Sequence, residues 1–169
     1  MSGEALARLN AADRAAFVAA LGHLFEHSPW VAADAFDRRP LRDPAHLHAE
    51  LCAAMRRAER ERRLALIRAH PDLAERLDRL TAASQREQAG AGLDRLGEAE
   101  RAEFHALNAA YRERFGFPFV ICARLNARDA ILAAMRRRLR NEPAAEEEAA
   151  LAEIEKIAWL RLTDLINST

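Results

Sequence analysis

Apolar residues recur at intervals of three and four positions along almost the whole chain, as in Phe17, Leu21, Leu24 and Phe25. This spacing places them on one face of an α-helix, where they can pack against a core. The sequence contains no alternating strand pattern and no two-residue hairpin turn. It therefore predicts an all-α fold, a bundle of roughly seven to nine helices.

Capping and turn residues set the expected helix boundaries. A first helix begins near Asp13 and ends at His27-Ser28-Pro29, and a short helix begins at Pro71 and runs to residue 80. Gly90 and Gly92 close a further short helix. The remaining predicted helices cover residues 44–57, 59–69, 98–114, 126–140 and 144–166.

Length and charge bound the class of protein. A chain of 169 residues can form one domain with a full core, so we expect a single domain over residues 1–169. Acidic and basic residues balance at 26 each, which favours neither nucleic acid nor an anionic membrane as a partner. The basic runs 56–63 and 136–140 lie among glutamates and are typical of solvated helix faces. The expected partner is a small molecule, with no nucleic acid and no membrane.

Cys52 and Cys122 stand far apart among apolar neighbours. This placement indicates buried thiols of a reducing compartment and argues against a disulfide framework or a metal cluster. The N-terminus shows no apolar leader segment. We therefore expect a cytoplasmic protein.

The stretch Phe115–Ala123 is strongly apolar and is broken by Gly116 and Pro118. Gly116 permits a turn, while Pro118 lacks an N–H and disfavours helical backbone at Phe117. The sequence predicts an extended, buried segment near 115–124, whose N–H and C=O groups need partners that no sheet supplies. Those partners are either a polar ligand or side chains and water.

His70 stands directly before Pro71, at the junction between two predicted helices. The proline disfavours helical geometry at His70. An imidazole exchanges protons near neutral pH, as a general acid or base must. The same position also suits a cap or a hydrogen-bonded core histidine.

The stretch Ser84-Gln85-Arg86-Glu87 matches the capping box, in which the serine and glutamate side chains bond the first turn of a helix. If Thr81 is the cap instead, Ser84, Glu87 and Gln88 share one helix face. A hydroxyl, a carboxylate and an amide then converge, which suits a small substrate rich in donors and acceptors. Both interpretations stay open.

Arg161 lies on the apolar stripe of the last predicted helix. Leu151, Ile154, Ala158 and Leu165 mark that stripe at steps of three and four, and Arg161 falls on it. A guanidinium that faces the core requires a buried carboxylate or an anionic ligand. Alternatively, the stripe is rotated and Arg161 reaches solvent.

Four separated motifs together resemble one known family. They are HPDLA at 70–74, SQREQ at 84–88, FGFPFVICA at 115–123 and EKIAWLRL at 155–162. With LFEHSPW at 24–30, they resemble the OHCU decarboxylase family of ureide metabolism. The substrate of that family is 2-oxo-4-hydroxy-4-carboxy-5-ureidoimidazoline (OHCU).

The resemblance implies an all-helical carboxy-lyase with no metal or organic cofactor, which forms (S)-allantoin and CO2 as the last step of urate oxidation. It implies that His70 is the catalytic histidine, that Glu87 is its acidic partner and that Arg161 anchors the substrate. The other implied substrate-binding residues are Pro71, Ser84, Gln85, Arg86 and Gln88, with the backbone of Phe119, Val120, Ile121, Cys122 and Ala123. The expected partner is thus a ureide, and we also expect a homodimer.

The chain departs from the family just after the extended segment, where Arg124-Leu125-Asn126 stands in place of an early glycine. The shape of that loop is therefore open. Two other functions compete with the decarboxylase: an enzyme of the same fold that acts on another ureide or cyclic amide, and a helical interaction module in which His70 and Glu87 are caps. An inward-facing Arg161 argues against the interaction module.

Overall fold

The computed structural model describes residues 3–73 and 97–167. Eight α-helices and no strand occur in these two ranges, and the all-α fold is confirmed. The helices predicted over 71–80 and up to Gly92 lie almost entirely outside the described residues. The chain divides into two compact units, one containing residues up to Ala69 together with those from Glu155, the other running from His70 to Ile154. The single domain over residues 1–169 stays a prediction.

The first unit contains five complete helices. They are α1 (Gly3–Ala11), α2 (Arg14–Leu21), α3 (Trp30–Ala35), α4 (Pro44–Arg57) and α5 (Arg60–Ala69). Helix α3 packs against both α2 and α4. The large apolar side chains between them, such as Phe17, Leu47 and Met55, are fully buried. Burial of these side chains stabilises the unit, because it removes apolar surface from water.

Aspartate caps begin two of these helices. Asp13 Oδ1 accepts from the N–H of Ala16 at 2.8 Å, and Asp43 Oδ1 accepts from the N–H of His46 at 2.7 Å. The start predicted near Asp13 is therefore confirmed. The predicted end is wrong, because α2 stops at Leu21 and a 3-10 turn follows.

Sequence periodicity did not indicate α1 or α3. Helix α1 has no fully buried residue and only two large apolar side chains, Leu6 and Leu9, and α3 has only 6 residues, too few to show a period.

The second unit contains α6 (Glu98–Phe115), α7 (Arg128–Arg138) and the first part of α8 (Pro143–Asn167). Their predicted boundaries agree to within 2 residues. Gly116 ends α6 with a left-handed φ of 73°, and its N–H donates to the C=O of Arg112 at 2.8 Å. This cap releases the chain from the helix immediately before the apolar segment.

Candidate active site

His70 follows the last residue of α5 and is buried, with 6% of its surface exposed. The predicted change of structure before Pro71 is therefore confirmed. Asp72 is also buried, and its Oδ2 lies 3.2 Å from Nη2 of Arg112 on α6. A buried carboxylate requires a cation of this kind. The ion pair fixes the His70–Asp72 stretch to α6, and sequence spacing could not reveal it because the two residues are far apart in the chain.

The apolar stretch after Gly116 is buried and has no regular secondary structure as far as Cys122. The predicted interruption of the helix is thus confirmed. The rings of Phe117 and Phe119 stand edge-on to Tyr111 of α6, with centroid separations of 6.0 and 5.3 Å. These contacts supply the apolar surroundings that keep water from the segment.

Helix side chains bond the backbone of this stretch. Arg138 Nη1 donates to the C=O of Val120 at 2.7 Å, and Glu153 Oε2 accepts from the N–H of Cys122 at 2.9 Å. Side chains, one of the two predicted alternatives, therefore supply these partners. Within the described ranges, the N–H and C=O of Ile121, which lie between them, have no hydrogen-bond partner.

Arg138 corrects one interpretation of the sequence. It belongs to the basic run expected on a solvated helix face, but it is buried. Periodicity carried a signal for this burial, because Arg138 lies on the stripe of α7 with the buried Ile131 and Met135, at steps of four and three. It could not identify the carboxylate partner Glu146, which lies beyond the break between α7 and α8.

The residues that depart from the family pattern form a defined turn. Ala123–Leu125 is a 3-10 turn, and the C=O of Cys122 accepts from the N–H of Leu125 at 3.1 Å and from Asn126 Nδ2 at 2.9 Å. Leu125 is exposed. The asparagine thus closes this loop with its side chain.

Arg161 lies in the first unit and is half-buried. Its Nη2 donates to Glu26 Oε2 at 2.8 Å, and its Nη1 donates to the C=O of Leu24 at 3.3 Å. Of the two predicted requirements, a carboxylate partner is therefore present. The predicted stripe is confirmed at Leu151, Ile154 and Ala158, which are buried. It continues through the buried Leu162, so Arg161 and Leu165 lie half-buried at its edge.

Five predicted site residues lie outside the described residues: Ser84, Gln85, Arg86, Glu87 and Gln88. Their roles as caps or as site residues stay predictions. The others divide between the two units. His70, Pro71 and the segment Phe119–Ala123 belong to the second unit, whereas Arg161 belongs to the first.

Cys52 and Cys122 are buried, as predicted, and neither forms a disulfide. Cys52 Sγ lies 3.3 Å from His48 Nε2, a pairing that resembles an activated nucleophile. However, burial and the nearby Glu155 carboxylate raise the pKa of the Cys52 thiol to about 12, so it carries almost no thiolate at neutral pH. The same His48 nitrogen also lies 2.8 Å from the C=O of Glu155. This pair is structural.

Comparisons with known proteins agree on the class, an all-α carboxy-lyase. The family model described as OHCU decarboxylase matches residues 10–163, and the chain belongs to that family.

Relatives match over almost the full length. A 2-oxo-4-hydroxy-4-carboxy-5-ureidoimidazoline decarboxylase of Haloferax volcanii is 45% identical over 163 residues, which cover 96% of each chain. The Mus musculus protein of the same name is 40% identical over 166 residues, covering 96% of this chain and 93% of its own. The crystal structure of an (S)-allantoin synthase matches with a TM-score of 0.77 at 29% identity, over 95% of this chain and 53% of that one. The resemblance seen in the sequence is confirmed.

Proposed function

We propose that this chain decarboxylates OHCU to (S)-allantoin and CO2, with His70 and Glu87 as its proton-handling groups. The reaction is that of the family and belongs to urate degradation. The observation that supports His70 is its burial directly after α5, in a stretch that the Asp72–Arg112 ion pair anchors. A buried, anchored imidazole suits proton transfer, because its position is set before the substrate binds.

The chemistry needs proton transfers and a place for two electrons. When the C–COO⁻ bond of OHCU breaks, CO2 leaves and the electron pair stays on the ring carbon, where the conjugated imine of the substrate accepts it. The imine nitrogen takes up a proton from water. The hydroxyl on the carbon that lost CO2 then loses its proton and becomes the carbonyl of allantoin, while the neighbouring ring carbon gains a proton. We assign the transfers at the hydroxyl and at the ring carbon to His70 and Glu87 jointly. Protonation from one face sets the S configuration.

The apolar segment supports the bond-breaking step. Phe117, Phe119 and Ile121 are buried. Apolar surroundings disfavour a localised carboxylate relative to the charge-dispersed transition state. The unpartnered N–H and C=O of Ile121 offer a donor and an acceptor to the ureide groups of the substrate.

Arg161 suits the role of substrate anchor. A guanidinium has five N–H donors, and its two bonds to Leu24 and Glu26 use one N–H on each terminal nitrogen. Its side chain is 28% exposed, so the remaining donors are open to a ligand. A planar fork of this kind recognises carboxylate and carbonyl groups.

Further parts of the proposal concern cofactor, assembly and location. We propose that the enzyme needs neither a metal nor an organic cofactor, that it forms a homodimer and that it works in the cytoplasm. No helix within 3–73 or 97–167 has the length and apolar character of a bilayer span. Activity that survives exhaustive EDTA treatment and dialysis would support the cofactor-free reaction, whereas loss restored by a metal would contradict it.

The decisive experiment adds the protein to freshly generated OHCU and follows the optical activity of the allantoin formed. We expect rapid formation of the S enantiomer, and His70→Asn should slow it by roughly a hundredfold or more. His27→Asn is the matched control, because His27 is exposed and has a positive φ of 45°, which asparagine tolerates. Racemic allantoin at the spontaneous rate with the unaltered protein would contradict the function.

Glu87→Gln separates the two roles open to that residue. Glutamine keeps much of a capping box and removes the charge. A cap therefore predicts nearly normal turnover with at most about 1 kcal/mol of lost stability, whereas a catalytic carboxylate predicts a fall of roughly a hundredfold or more. Steady-state kinetics and a thermal melt distinguish the two.

A further inference from the structure

Two side chains hold the peptide groups on either side of Ile121. The C=O of Val120 and the N–H of Ile121 belong to one peptide group, and Arg138 bonds its carbonyl end at 2.7 Å. The C=O of Ile121 and the N–H of Cys122 belong to the next, and Glu153 bonds its amide end at 2.9 Å. Both peptide bonds are trans. Since the C=O and N–H of a planar trans peptide point in opposite directions, fixing one end sets the direction of the other.

Arg138 is itself held rigidly. Its Nε donates to Glu146 Oε1 at 2.5 Å, and its guanidinium lies 4.3 Å from the centre of the Phe119 ring. The carboxylate of Glu146 also accepts from the Tyr111 hydroxyl, and from Asn141 Nδ2 at 3.0 Å. Burial and the bond to Glu146 raise the pKa of Tyr111, so its hydroxyl stays a donor. With both carboxylate oxygens bonded, Glu146 holds Arg138 in one orientation.

The cluster of Arg138, Glu146, Tyr111 and Asn141 stabilises a core only at a large cost in desolvation free energy. Arg138 and Glu146 are both buried, and apolar residues of similar volume often stabilise a protein as well as a buried ion pair does. In addition, Arg138 Nη2 is buried, and its N–H groups have no hydrogen-bond acceptor in the part of the chain that the structure describes. What the cluster provides beyond burial is a fixed direction for the carbonyl of Val120.

We propose that Arg138 and Glu153 are positioning residues that aim the N–H and C=O of Ile121 at the amide groups of the ureide substrate. The inference rests on the proposed function, because it names how the same site recognises its substrate. A ureido group or a cyclic amide presents N–H and C=O groups, so the donor and acceptor of Ile121 match it. Arg138 sets the direction of the N–H of Ile121, and Glu153 sets the direction of its C=O.

Glu153 offers the cleaner test, because it is half-buried, whereas Arg138 is buried and its removal leaves the buried Glu146 carboxylate without its charge partner. Glu153→Ala deletes the acceptor for the N–H of Cys122, whereas Glu153→Gln keeps an oxygen that can accept the same bond. We expect Glu153→Ala to raise the KM for OHCU and the Kd for (S)-allantoin about tenfold, with a smaller change in kcat. Glu153→Gln should restore values close to those of the unaltered enzyme. Glu148→Ala, which removes an exposed glutamate from the same helix, is the matched control.

A direct measurement accompanies the kinetics. In the ¹⁵N-labelled protein, saturation with (S)-allantoin should move the amide proton resonance of Ile121 downfield, as a newly formed hydrogen bond does. An unmoved resonance would overturn the inference, and so would normal KM and Kd values in Glu153→Ala or a failure of Glu153→Gln to rescue them. These results leave the proposed function standing if the unaltered protein still forms (S)-allantoin. A protein that neither turns over OHCU nor binds allantoin overturns both.

Discussion

The two units each contain an arginine bonded to a glutamate, and the two pairs differ in access to water. In the first unit, the Arg161 and Glu26 side chains are 28% and 21% exposed. In the second unit, the Arg138 and Glu146 side chains are 7% and 0% exposed. The same two chemical groups therefore face opposite constraints. A half-buried pair that water reaches can lose or exchange a partner at small cost, while a fully buried pair cannot.

This difference matches the roles that we assign to the two arginines. Arg161 retains unused N–H donors and access to solvent, so a substrate can bind it without breaking the bond to Glu26. Arg138 is bound to a carboxylate whose two oxygens are both occupied, and it touches the extended segment directly. One arginine is placed to bind a ligand, and the other to hold backbone.

The largest expected effect concerns the buried pair. Arg138→Met removes the cation and leaves the Glu146 carboxylate buried without its charge partner, so we expect the free energy of unfolding to fall by about 3–5 kcal/mol. Urea denaturation measures the change. A loss below about 1 kcal/mol would show that water reaches Glu146, and it would remove the contrast between the two pairs.

The next effect concerns binding at the half-buried pair of Arg161 and Glu26. Arg161→Lys keeps the charge and loses the planar fork, so (S)-allantoin should bind more weakly by about 2 kcal/mol or more, roughly thirtyfold. The thermal midpoint should change little, because lysine can still pair with Glu26. Isothermal titration calorimetry provides the affinity. Unchanged affinity would show that Arg161 serves only the structure of the first unit.

A smaller effect concerns the pH dependence of the free energy of unfolding, to which Cys52 of the first unit contributes. The raised pKa of Cys52, from 9.0 to about 12, means that the folded protein holds the thiol proton more tightly than the unfolded chain. This contribution to stability is fully present below about pH 9 and is lost as the pH rises toward 12. By about pH 10, the free energy of unfolding should have fallen by about 1 kcal/mol through this titration.

Comparison of the unaltered protein with Cys52→Ala at about pH 8 and about pH 10 tests this. The difference in unfolding free energy between the two should shrink by about 1 kcal/mol over that interval. The pKa of Tyr111 in the second unit is raised well above its usual 10.0, so this hydroxyl does not titrate over the interval. An unchanged difference would show that Cys52 is reached by water.

The sequence predicted the helices better than it predicted the arginine–glutamate pairs, for a physical reason. Helix formation depends on spacings of three and four residues, so α6, α7 and α8 could be located from apolar periodicity alone. The carboxylate partners lie far away in the chain, as with Glu26 and Arg161, or beyond a helix break, as with Glu146 and Arg138. Local pattern carries no information about such contacts.

The site shows the same limit. His70 and the segment after Gly116 could be predicted because proline and glycine act on the backbone next to them. The side chains that bond this segment come from separate helices, and Glu153 and Arg138 have no local signature of that role. The assignment of Glu87 as a catalytic residue depended on the family resemblance. Its competing interpretation as a cap follows from the local spacing of Ser84 and Glu87 alone.

The smallest expected effect on stability comes from the same substitution, arginine to methionine, at the half-buried pair. Arg161→Met makes the same chemical change as Arg138→Met, but it leaves a carboxylate that water already reaches, since the Glu26 side chain is 21% exposed. We therefore expect the free energy of unfolding to fall by less than about 1 kcal/mol, even though (S)-allantoin binding is lost along with the fork. Urea denaturation of the two methionine variants side by side measures the contrast with one substitution in two settings. If Arg161→Met unfolds as easily as Arg138→Met but binds (S)-allantoin normally, then Glu26 depends on Arg161 as strongly as Glu146 depends on Arg138. Arg161 would then be a structural residue, and the substrate anchor would have to be sought elsewhere in the chain.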